Sequence, residues 1–339
     1  MKTKIGLILG LVLALVVGGS LAFIACRKGD QPGFQKTALR LRWSTQSQFA
    51  GIYWAQDKGI FRREGLDVTI NPGGPTINHM QIVGSGSEEF GIAGAAQIVE
   101  ARDKGIPVVA LAIIYQGNPN VFFSKKESGI KGPKDWVGKE VAVFHGYDLE
   151  YMYRAMLKKN GIDPSSVKEY PAKFDMTPFL HGDVDVWAGY IINQPNTAEE
   201  QGIEINRIYP NDYGINVSGD TLFTTEDVIK NHPERCQKMV NAILEGWREA
   251  LQNKEAAVNL VLSLDNKLQR VHETKMINSV EGLTLTKDIN GKIGWMTLDQ
   301  WSNMAALWKE FGGLKNEVDP NRCFDMRFVK TFYESPTKR

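Results

Sequence analysis

The chain has 339 residues, of which 42% are hydrophobic and 23% charged, and its formal net charge is +1. This composition is typical of a soluble globular protein, and the length favours two lobes of ordinary domain size over a single core. The near-zero net charge gives no electrostatic argument for nucleic-acid binding.

The first 38 residues differ from the rest of the chain. A basic start, MKTK, precedes residues 5–25, which carry no charge, and this pattern is typical of a signal peptide. The following stretch, LAFIAC, places Ala25 directly before Cys26. Bacterial lipoprotein leaders end in this way, with the cysteine lipidated as the new N-terminus.

We therefore expect a signal peptide over residues 1–25 and a lipid-anchored leash over residues 26–38. The alternative is an uncleaved membrane anchor, because about 20 apolar residues can span a bilayer. Both interpretations place the remaining chain outside the cytoplasm and tether it to a membrane.

Strands and helices alternate through the first third of the chain. Gly65 is expected to end the first long helix, and Pro75 suits the first turn of the next. This alternation predicts βαβ units and a mainly parallel sheet. In chain order, the predicted elements are a strand at 39–43, a helix at 49–64, a strand at 66–70, a helix at 75–83, a strand at 90–95, a helix at 97–104 and a strand at 108–115.

The same pattern then starts again and predicts a second α/β lobe. Two segments echo each other: MQIVGSGSEEFGIAGAAQ and TPFLHGDVDVWAGYIINQ both run from a helix end into an apolar strand and a polar loop. Ligands of open α/β sheets bind beyond the carboxyl ends of the strands, so two facing lobes predict a cleft. The predicted elements are a strand at 140–144, a helix at 148–160, a strand at 167–170, a helix at 176–181 and a strand at 184–191.

The last third of the chain is mostly helical. HPERCQKMVNAILEGWREAL has apolar residues at helical spacing, and Thr297 and Gln300 have capping-box spacing at the start of another helix. We interpret both apolar stripes as core packing. Cys236 and Cys323 remain if Cys26 is acylated, and either a disulfide or two buried free thiols would fit.

The sequence offers little evidence for catalysis. Its five histidines are scattered without the spacing of a helical zinc site, and it contains no Cys-x-x-Cys. GSGSEEFG precedes a strand instead of linking a strand to a helix, so it is not a phosphate loop. Asp183 and Asp185 are close in sequence, but solvent exposure or helix capping is the usual role of such a pair. We therefore predict a non-enzyme without cofactor or metal.

A resemblance to a known family rests on four stretches: FAGIYWAQDKGIFRREGLDVTI, SKKESGIKGPKDWVGKEVAVFHG, FDMTPFLHGDVDVWAGYIINQ and TTEDVIKNHPE. Together they resemble periplasmic binding proteins of the nitrate/sulfonate/taurine class, especially the branch related to thiamine-pyrimidine synthases. The similarity spans nearly all of residues 39–330. It implies a type II periplasmic binding protein fold: two α/β lobes with mainly parallel sheets, a two-strand hinge, and a ligand cleft between the lobes.

The resemblance also implies a discontinuous lobe I, formed by residues 39–121 plus 220–339, around a lobe II of residues 122–219. The hinge is expected near residues 122–125 and 219–223. A monomeric chain of this kind would close on a small ligand and deliver it to an ABC permease and its ATPase.

Enzymes of the synthase branch have an active-site histidine and a cysteine-rich run. Gln97 stands where the resemblance would place that histidine, and residues 207–223 contain no cysteine. The export signal is also unusual for such an enzyme. We therefore favour the transporter branch, although a sensory module that reports to a partner receptor stays open.

Aromatic and amide side chains cluster in the loops after the predicted strands. Rings stack on planar ligands and amides read their edges, whereas a small sulfonate or nitrate site would need cationic partners that these loops largely lack. Backbone N–H groups at a helix start could also accept ligand oxygens. The predicted ligand-binding residues are Trp43, Gln48, Phe49, Tyr53, Gln97, Tyr115, His145, Gly146, Tyr147, Phe174, Asp175, Tyr190 and Asn193.

These residues predict a heteroaromatic ligand. The branch resemblance points to a thiamine-precursor pyrimidine of the formylaminopyrimidine or hydroxymethylpyrimidine type. Riboflavin is the nearest alternative, followed by aromatic sulfonates or carboxylates. We expect Tyr190→Ala or Phe49→Ala to weaken binding without unfolding the protein.

Overall fold

The computed structural model describes residues 33–335, except positions 75, 146 and 174 and the side chain at 288. The predicted leader with Cys26, and the predicted site residues Gly146 and Phe174, therefore lie outside the described residues. Within the described part, no helix is both long enough and apolar enough to cross a membrane.

Ten strands form two sheets in the described residues. They are β1 (Gln35–Arg40), β2 (Leu66–Asn71), β3 (Phe90–Gly94), β4 (Val108–Ile113), β5 (Asn120–Lys125), β6 (Glu140–Val143), β7 (Lys168–Pro171), β8 (Val186–Tyr190), β9 (Ile205–Ile208) and β10 (Asp220–Thr225).

Thirteen α-helices are present in the same part of the chain. They are α1 (Ala50–Asp57), α2 (Ile60–Arg63), α3 (His79–Gly84), α4 (Ala95–Asp103), α5 (Asp148–Lys159), α6 (Thr177–His181), α7 (Gln194–Glu200), α8 (Glu226–Asn231), α9 (Pro233–Gln252), α10 (Lys254–Leu264), α11 (Arg270–Thr284), α12 (Leu298–Glu310) and α13 (Arg327–Glu334).

The two sheets have matching topologies. The first has the order β2-β1-β3-β10-β4 and the second β7-β6-β8-β5-β9. In both, the second strand pairs in parallel with its two neighbours, and the fourth strand runs antiparallel to both of its neighbours. The two echoing segments contain β3 and β8, which occupy the central position of their sheets. This is the predicted fold of two α/β lobes, which we call lobe I (β1–β4 and β10) and lobe II (β5–β9).

The chain passes between the sheets twice. It leaves lobe I after β4 and returns before β10, and the two passages touch where the Gly219 amide donates to the Tyr115 carbonyl at 2.8 Å. Residues 122–125, expected in the hinge, lie inside β5, so the first passage comes earlier, at residues 114–119. The expected position came from the family resemblance, whereas the turn-forming residues of the connection, GNP at 117–119, lie directly before β5.

Several predicted boundaries near the site also need correction. The strand expected at 39–43 is β1, which ends at Arg40 and begins inside the predicted leash. The helix expected at 49–64 is divided at Gly59, whose φ of +67° favours glycine. The helix expected from position 75 begins at His79, where the Asn78 side chain caps it by accepting from the Gln81 amide at 3.0 Å.

Helix α9 forms the centre of the lobe I helical layer. A Cβ at Gly246 would lie 2.4 Å from the Gly51 carbonyl oxygen, so these two glycines allow α9 to cross α1 in direct backbone contact. The apolar stripe of α9 is buried as predicted, including Cys236. Both Cys236 and Cys323 are buried free thiols, which decides between the two alternatives left by the sequence.

Candidate functional site

A cavity lies between the two lobes, beyond the carboxyl ends of β1, β3 and β8. Both lobes contribute to its walls, and about 90 Å³ of it is open to the centres of water-sized molecules. The lining residues are Arg42, Trp43, Gln48, Gly74, Ile77, His79 and Gln97 from lobe I, and Phe144, Tyr147, Asp148, Leu149, Ala188, Gly189, Tyr190, Asn193 and Gln194 from lobe II.

The lobe I wall is built around Arg42, two residues beyond the end of β1. Its Nη1 lies 3.3 Å from Oδ1 of Asp220, the first residue of β10. The other carboxylate oxygen of Asp220 accepts from Gln48 Nε2 at 2.7 Å. Burial raises the pKa of Asp220 to about 6, although Arg42 and the Gln48 hydrogen bond oppose this increase. The guanidinium is therefore fixed to lobe I by a buried partner.

Gln48 is held from three directions. Its Oε1 accepts from Gln46 Nε2 at 2.6 Å, its Nε2 donates to Asp220, and its backbone carbonyl accepts from the Tyr115 hydroxyl at 2.6 Å. Because its amide is already engaged at both ends, Gln48 orients the Asp220 carboxylate more than it offers free donors to a ligand.

Tyr190, at the end of β8, connects the two lobes across the cavity. Arg42 Nη1 donates to the Tyr190 hydroxyl, and the guanidinium carbon lies 4.8 Å from the centre of the tyrosine ring. Burial, the largest effect, raises the pKa of this phenol well above its usual range. Tyr190 is therefore a neutral ring that presents its face and its hydroxyl to the cationic wall.

His79 and Gln97 form a second polar pair in lobe I. His79 Nε2 lies 3.3 Å from Gln97 Oε1, which also accepts from the Gly94 amide at 3.0 Å. Burial and the nearby Arg42 charge lower the pKa of His79 to about 4, so this imidazole is neutral at pH 7.

Further contacts between the lobes surround the cavity. His272 of α11 has one ring nitrogen 3.1 Å from Glu200 Oε2 and the other 3.1 Å from Asn193 Oδ1. On another side, the rings of Tyr151 and Trp308 have centroids 6.0 Å apart. The described conformation therefore has both lobes in contact around the cavity.

Six of the predicted site residues line this cavity: Trp43, Gln48, Gln97, Tyr147, Tyr190 and Asn193. They come from the loops after the strands, where ligand sites of open α/β sheets form. Their contact with a ligand stays a prediction.

Five other predicted site residues do not line the cavity. Phe49, Tyr53 and Tyr115 are buried in the lobe I core, with exposures of 1%, 8% and 0%. His145 is exposed, with Nδ1 3.1 Å from Glu150 Oε1, and Asp175 lies just before α6, where its Oδ1 accepts from the Thr177 amide at 3.0 Å. Because Phe49 packs in the core, we now expect Phe49→Ala to affect folding before it affects binding.

Four ionisable residues of the candidate site were not among the predicted site residues: Arg42, His79, Asp148 and Asp220. The expectation that these loops largely lack cationic groups was wrong for Arg42. Its signal in the sequence was weak, because residues 39–43 were assigned to a strand and Arg42 appeared as one strand residue among others.

Comparisons with known proteins agree with this architecture. A family model described as NMT1/THI5 like matches residues 46–257. Riboflavin-binding protein RibY of Chloroflexus aurantiacus is 25% identical over 310 residues, covering 88% of this chain and 87% of that protein. A formylaminopyrimidine-binding protein of Halalkalibacterium halodurans is 24% identical over 305 residues, covering 87% of this chain and 91% of the relative.

A third relative is named as an enzyme. The 4-amino-5-hydroxymethyl-2-methylpyrimidine phosphate synthase of Legionella pneumophila is 30% identical over 302 residues, covering 87% of this chain and 92% of the enzyme. Among solved structures, the periplasmic aliphatic sulphonate-binding protein SsuA of Escherichia coli superimposes with a TM-score of 0.68 at 15% identity, covering 85% of this chain and 96% of that one. That similarity shows the periplasmic binding protein fold.

Proposed function

The chain belongs to the NMT1/THI5-like family, and from this premise we propose that it is the extracytoplasmic solute-binding component of an ABC importer. We further propose that its ligand is a small heteroaromatic amine, of which a thiamine-precursor pyrimidine is the best candidate. The observation that carries this proposal is the interlobe cavity, which combines ring faces and amides from both lobes with the Asp148 carboxylate of lobe II.

The mechanism requires no bond chemistry. A ligand in the cavity would touch Trp43 and Gln97 of lobe I and Tyr147 and Tyr190 of lobe II at the same time. Because these contacts exist together only when the lobes meet, the ligand stabilises the closed conformation relative to the open one. The permease then distinguishes loaded from empty protein by lobe closure.

The ligand types named for the two relatives differ in size. A substituted pyrimidine is a single ring, whereas riboflavin has a tricyclic ring and a ribityl chain, so a test of ligand class has to include both compounds.

The synthase of the third relative is the second candidate function, favoured by its 30% identity. The site chemistry argues against it. Gln97, at the position where the resemblance would place the catalytic histidine, uses its carbonyl oxygen to accept from the Gly94 amide and cap α4. The nearby imidazole of His79 is buried and held by the same oxygen.

The extracytoplasmic location rests on the sequence of the first 38 residues and on the periplasmic relatives by fold. We propose that Cys26 carries the lipid anchor. The leash to the folded lobes is then shorter than expected, because β1 begins at Gln35.

The test of ligand class is a thermal-shift panel on the purified protein. It contains formylaminopyrimidine, hydroxymethylpyrimidine, riboflavin, taurine, nitrate and an aromatic sulfonate. A ligand that binds only the folded state stabilises it by about 2.7 kcal/mol at a hundredfold excess over its dissociation constant. We expect a pyrimidine to raise the melting temperature. A rise with riboflavin alone, or with taurine or nitrate alone, would refute the proposed ligand class.

The aromatic wall is tested by Tyr190→Ala. This change removes a ring that lines the cavity, so we expect the ligand identified by the panel to bind about 1–3 kcal/mol more weakly in calorimetry. His145→Ala is the control, since that exposed side chain does not line the cavity. Equal affinity of Tyr190→Ala and the unmodified protein would remove Tyr190 from the site.

A further inference from the structure

Asp148 is the one lobe II carboxylate among the described residues that line the cavity. It lies across the cavity lining from the lobe I wall that is built around Arg42. It is the first residue of α5 and its exposure is only 5%. A Cβ at Gly94 would lie 3.4 Å from Asp148 Oδ2 and 3.1 Å from Arg42 Nη1, so both charged atoms approach the same backbone position.

Among the described residues, this carboxylate has unused hydrogen-bonding capacity. Within the described part of the chain, no residue donates a hydrogen bond to Asp148, although Asp220 at the other side of Arg42 has two donors. Buried polar groups in proteins are normally hydrogen-bonded, and a carboxylate is a pure acceptor when ionised. A buried acceptor that opens on a ligand cavity is therefore suited to a ligand that brings donors.

The charges around the cavity also favour a ligand that is not an anion. Arg42 carries one positive charge, but it is shared between Asp220, Asp148 and the Tyr190 hydroxyl. His79 adds no charge at pH 7, as described above. Two carboxylates therefore face a single guanidinium, and an anionic ligand would enter a site that already has a negative balance.

We propose that Asp148 is a specificity-determining residue, accepting hydrogen bonds from an amino group on the ligand ring, and that this site selects neutral or cationic amino-heterocycles over their oxo analogues and over anions. The inference rests on the proposed function. When the ring is neutral, an amino group next to a ring nitrogen offers the carboxylate one N–H donor. When that ring nitrogen is protonated, the amino group and the ring N–H together offer two donors, in a bidentate arrangement. An oxo group at the same position would place two acceptors against each other.

The test is calorimetry with two matched probes, 4-amino-5-hydroxymethyl-2-methylpyrimidine and its 4-oxo analogue. We expect the unmodified protein to bind the amino compound about 10- to 100-fold more tightly, because the oxo compound turns a carbonyl acceptor toward the carboxylate where the amino group would donate, and keeps only a ring N–H as a donor. Asp148→Asn presents a donor as well as an acceptor, so its preference should disappear or reverse. Glu150→Gln is the control, because Glu150 is a second carboxylate of α5 that pairs with His145 and Arg154 and does not line the cavity; this variant should retain the preference.

The possible outcomes separate the two proposals. Equal binding of both probes by the unmodified protein, or an unchanged preference in Asp148→Asn, would overturn the role of Asp148 and leave the importer proposal intact. Binding of neither probe would overturn the pyrimidine ligand and the inference with it. Circular dichroism shows whether Asp148→Asn folds. If it does not, equal affinity of the unmodified protein for the amino and the oxo probe still overturns the role of Asp148.

Discussion

Arg42→Met should lower the free energy of unfolding by about 3–5 kcal/mol, the usual effect of removing one partner from a buried ion pair. The Asp220 carboxylate has an exposure of 2% and would keep Gln48 as its main donor. Without the guanidinium, its pKa rises further, so the loss should be smaller at pH 5 than at pH 8. Urea denaturation at the two pH values measures both effects.

A double-mutant cycle distinguishes pairing from packing. Arg42→Met combined with Asp220→Asn leaves no unpaired charge at position 220 and should recover about 2 kcal/mol or more of the loss. Arg63→Met is the control, because the Arg63–Glu245 pair has an arginine side chain that is 54% exposed. Such surface pairs contribute about 0–1 kcal/mol. A double variant no more stable than Arg42→Met would show that the lost contacts of Arg42, and not its charge, matter.

Glu100→Gln should increase the free energy of unfolding at pH 8 relative to the unmodified protein. Glu100 is buried in α4, and burial raises its pKa from 4.5 to about 7, although its hydrogen bond from Trp308 Nε1 at 2.7 Å opposes the increase. Glutamine keeps an acceptor for that indole and has no charge to bury.

The direction of the pH dependence follows from the raised pKa. The folded protein holds the Glu100 proton more tightly than the unfolded chain, so the stabilisation is fully present below pH 4.5 and is lost as the pH rises through about 7. The difference in unfolding free energy between variant and unmodified protein should therefore change by about 2–3 kcal/mol between pH 4 and pH 8. Exposed Glu310 on α12 supplies the control, Glu310→Gln. Parallel pH profiles for Glu100→Gln and the unmodified protein would contradict the prediction.

The similarity between the two sequence segments predicted that the loops after two equivalent strands face each other across a cleft. Gln97 follows β3, and Tyr190 and Asn193 end or follow β8, so the loops after these two strands meet across the cavity. This was predictable because each segment carries its own local signal: an apolar strand of period two followed by polar residues. The meeting of the loops then follows from the general rule for open α/β sheets.

The ionisable part of the site depends on contacts that are distant in sequence. The end of β1 is set by its pairing with β2 and β3, since Arg40 is opposite both Asn71 and Gly91, and Arg42 then lies beyond the strand. Asp220 joins Arg42 through β10, which enters lobe I 178 residues later. No local pattern specifies such pairings.

The aromatic residues show a second reason why part of the candidate site could not be predicted from the sequence. Tyr115 looks like a ligand-stacking residue in sequence, but its ring packs edge-on against Trp247 of α9, with centroids 6.1 Å apart. Phe49 and Tyr53 join the same core cluster. Which face of an aromatic segment turns to the core is decided by the helix that covers it, and α9 begins well over one hundred residues later in the chain.

The position of β10 has a consequence for how the protein is made. β4 is an edge strand whose neighbour in the sheet is β10, so the sheet of lobe I cannot be completed until residue 225 has been synthesised. The strands of lobe II, from Asn120 to Ile208, are all available earlier. Lobe I is therefore the first lobe whose synthesis begins and the last whose sheet is complete. Its last strand pairs with strands that are distant in sequence, and such pairings form slowly. A nascent chain with an unfinished first lobe stays unfolded longer, and an unfolded chain is what a protein-secreting pore in a membrane can accept.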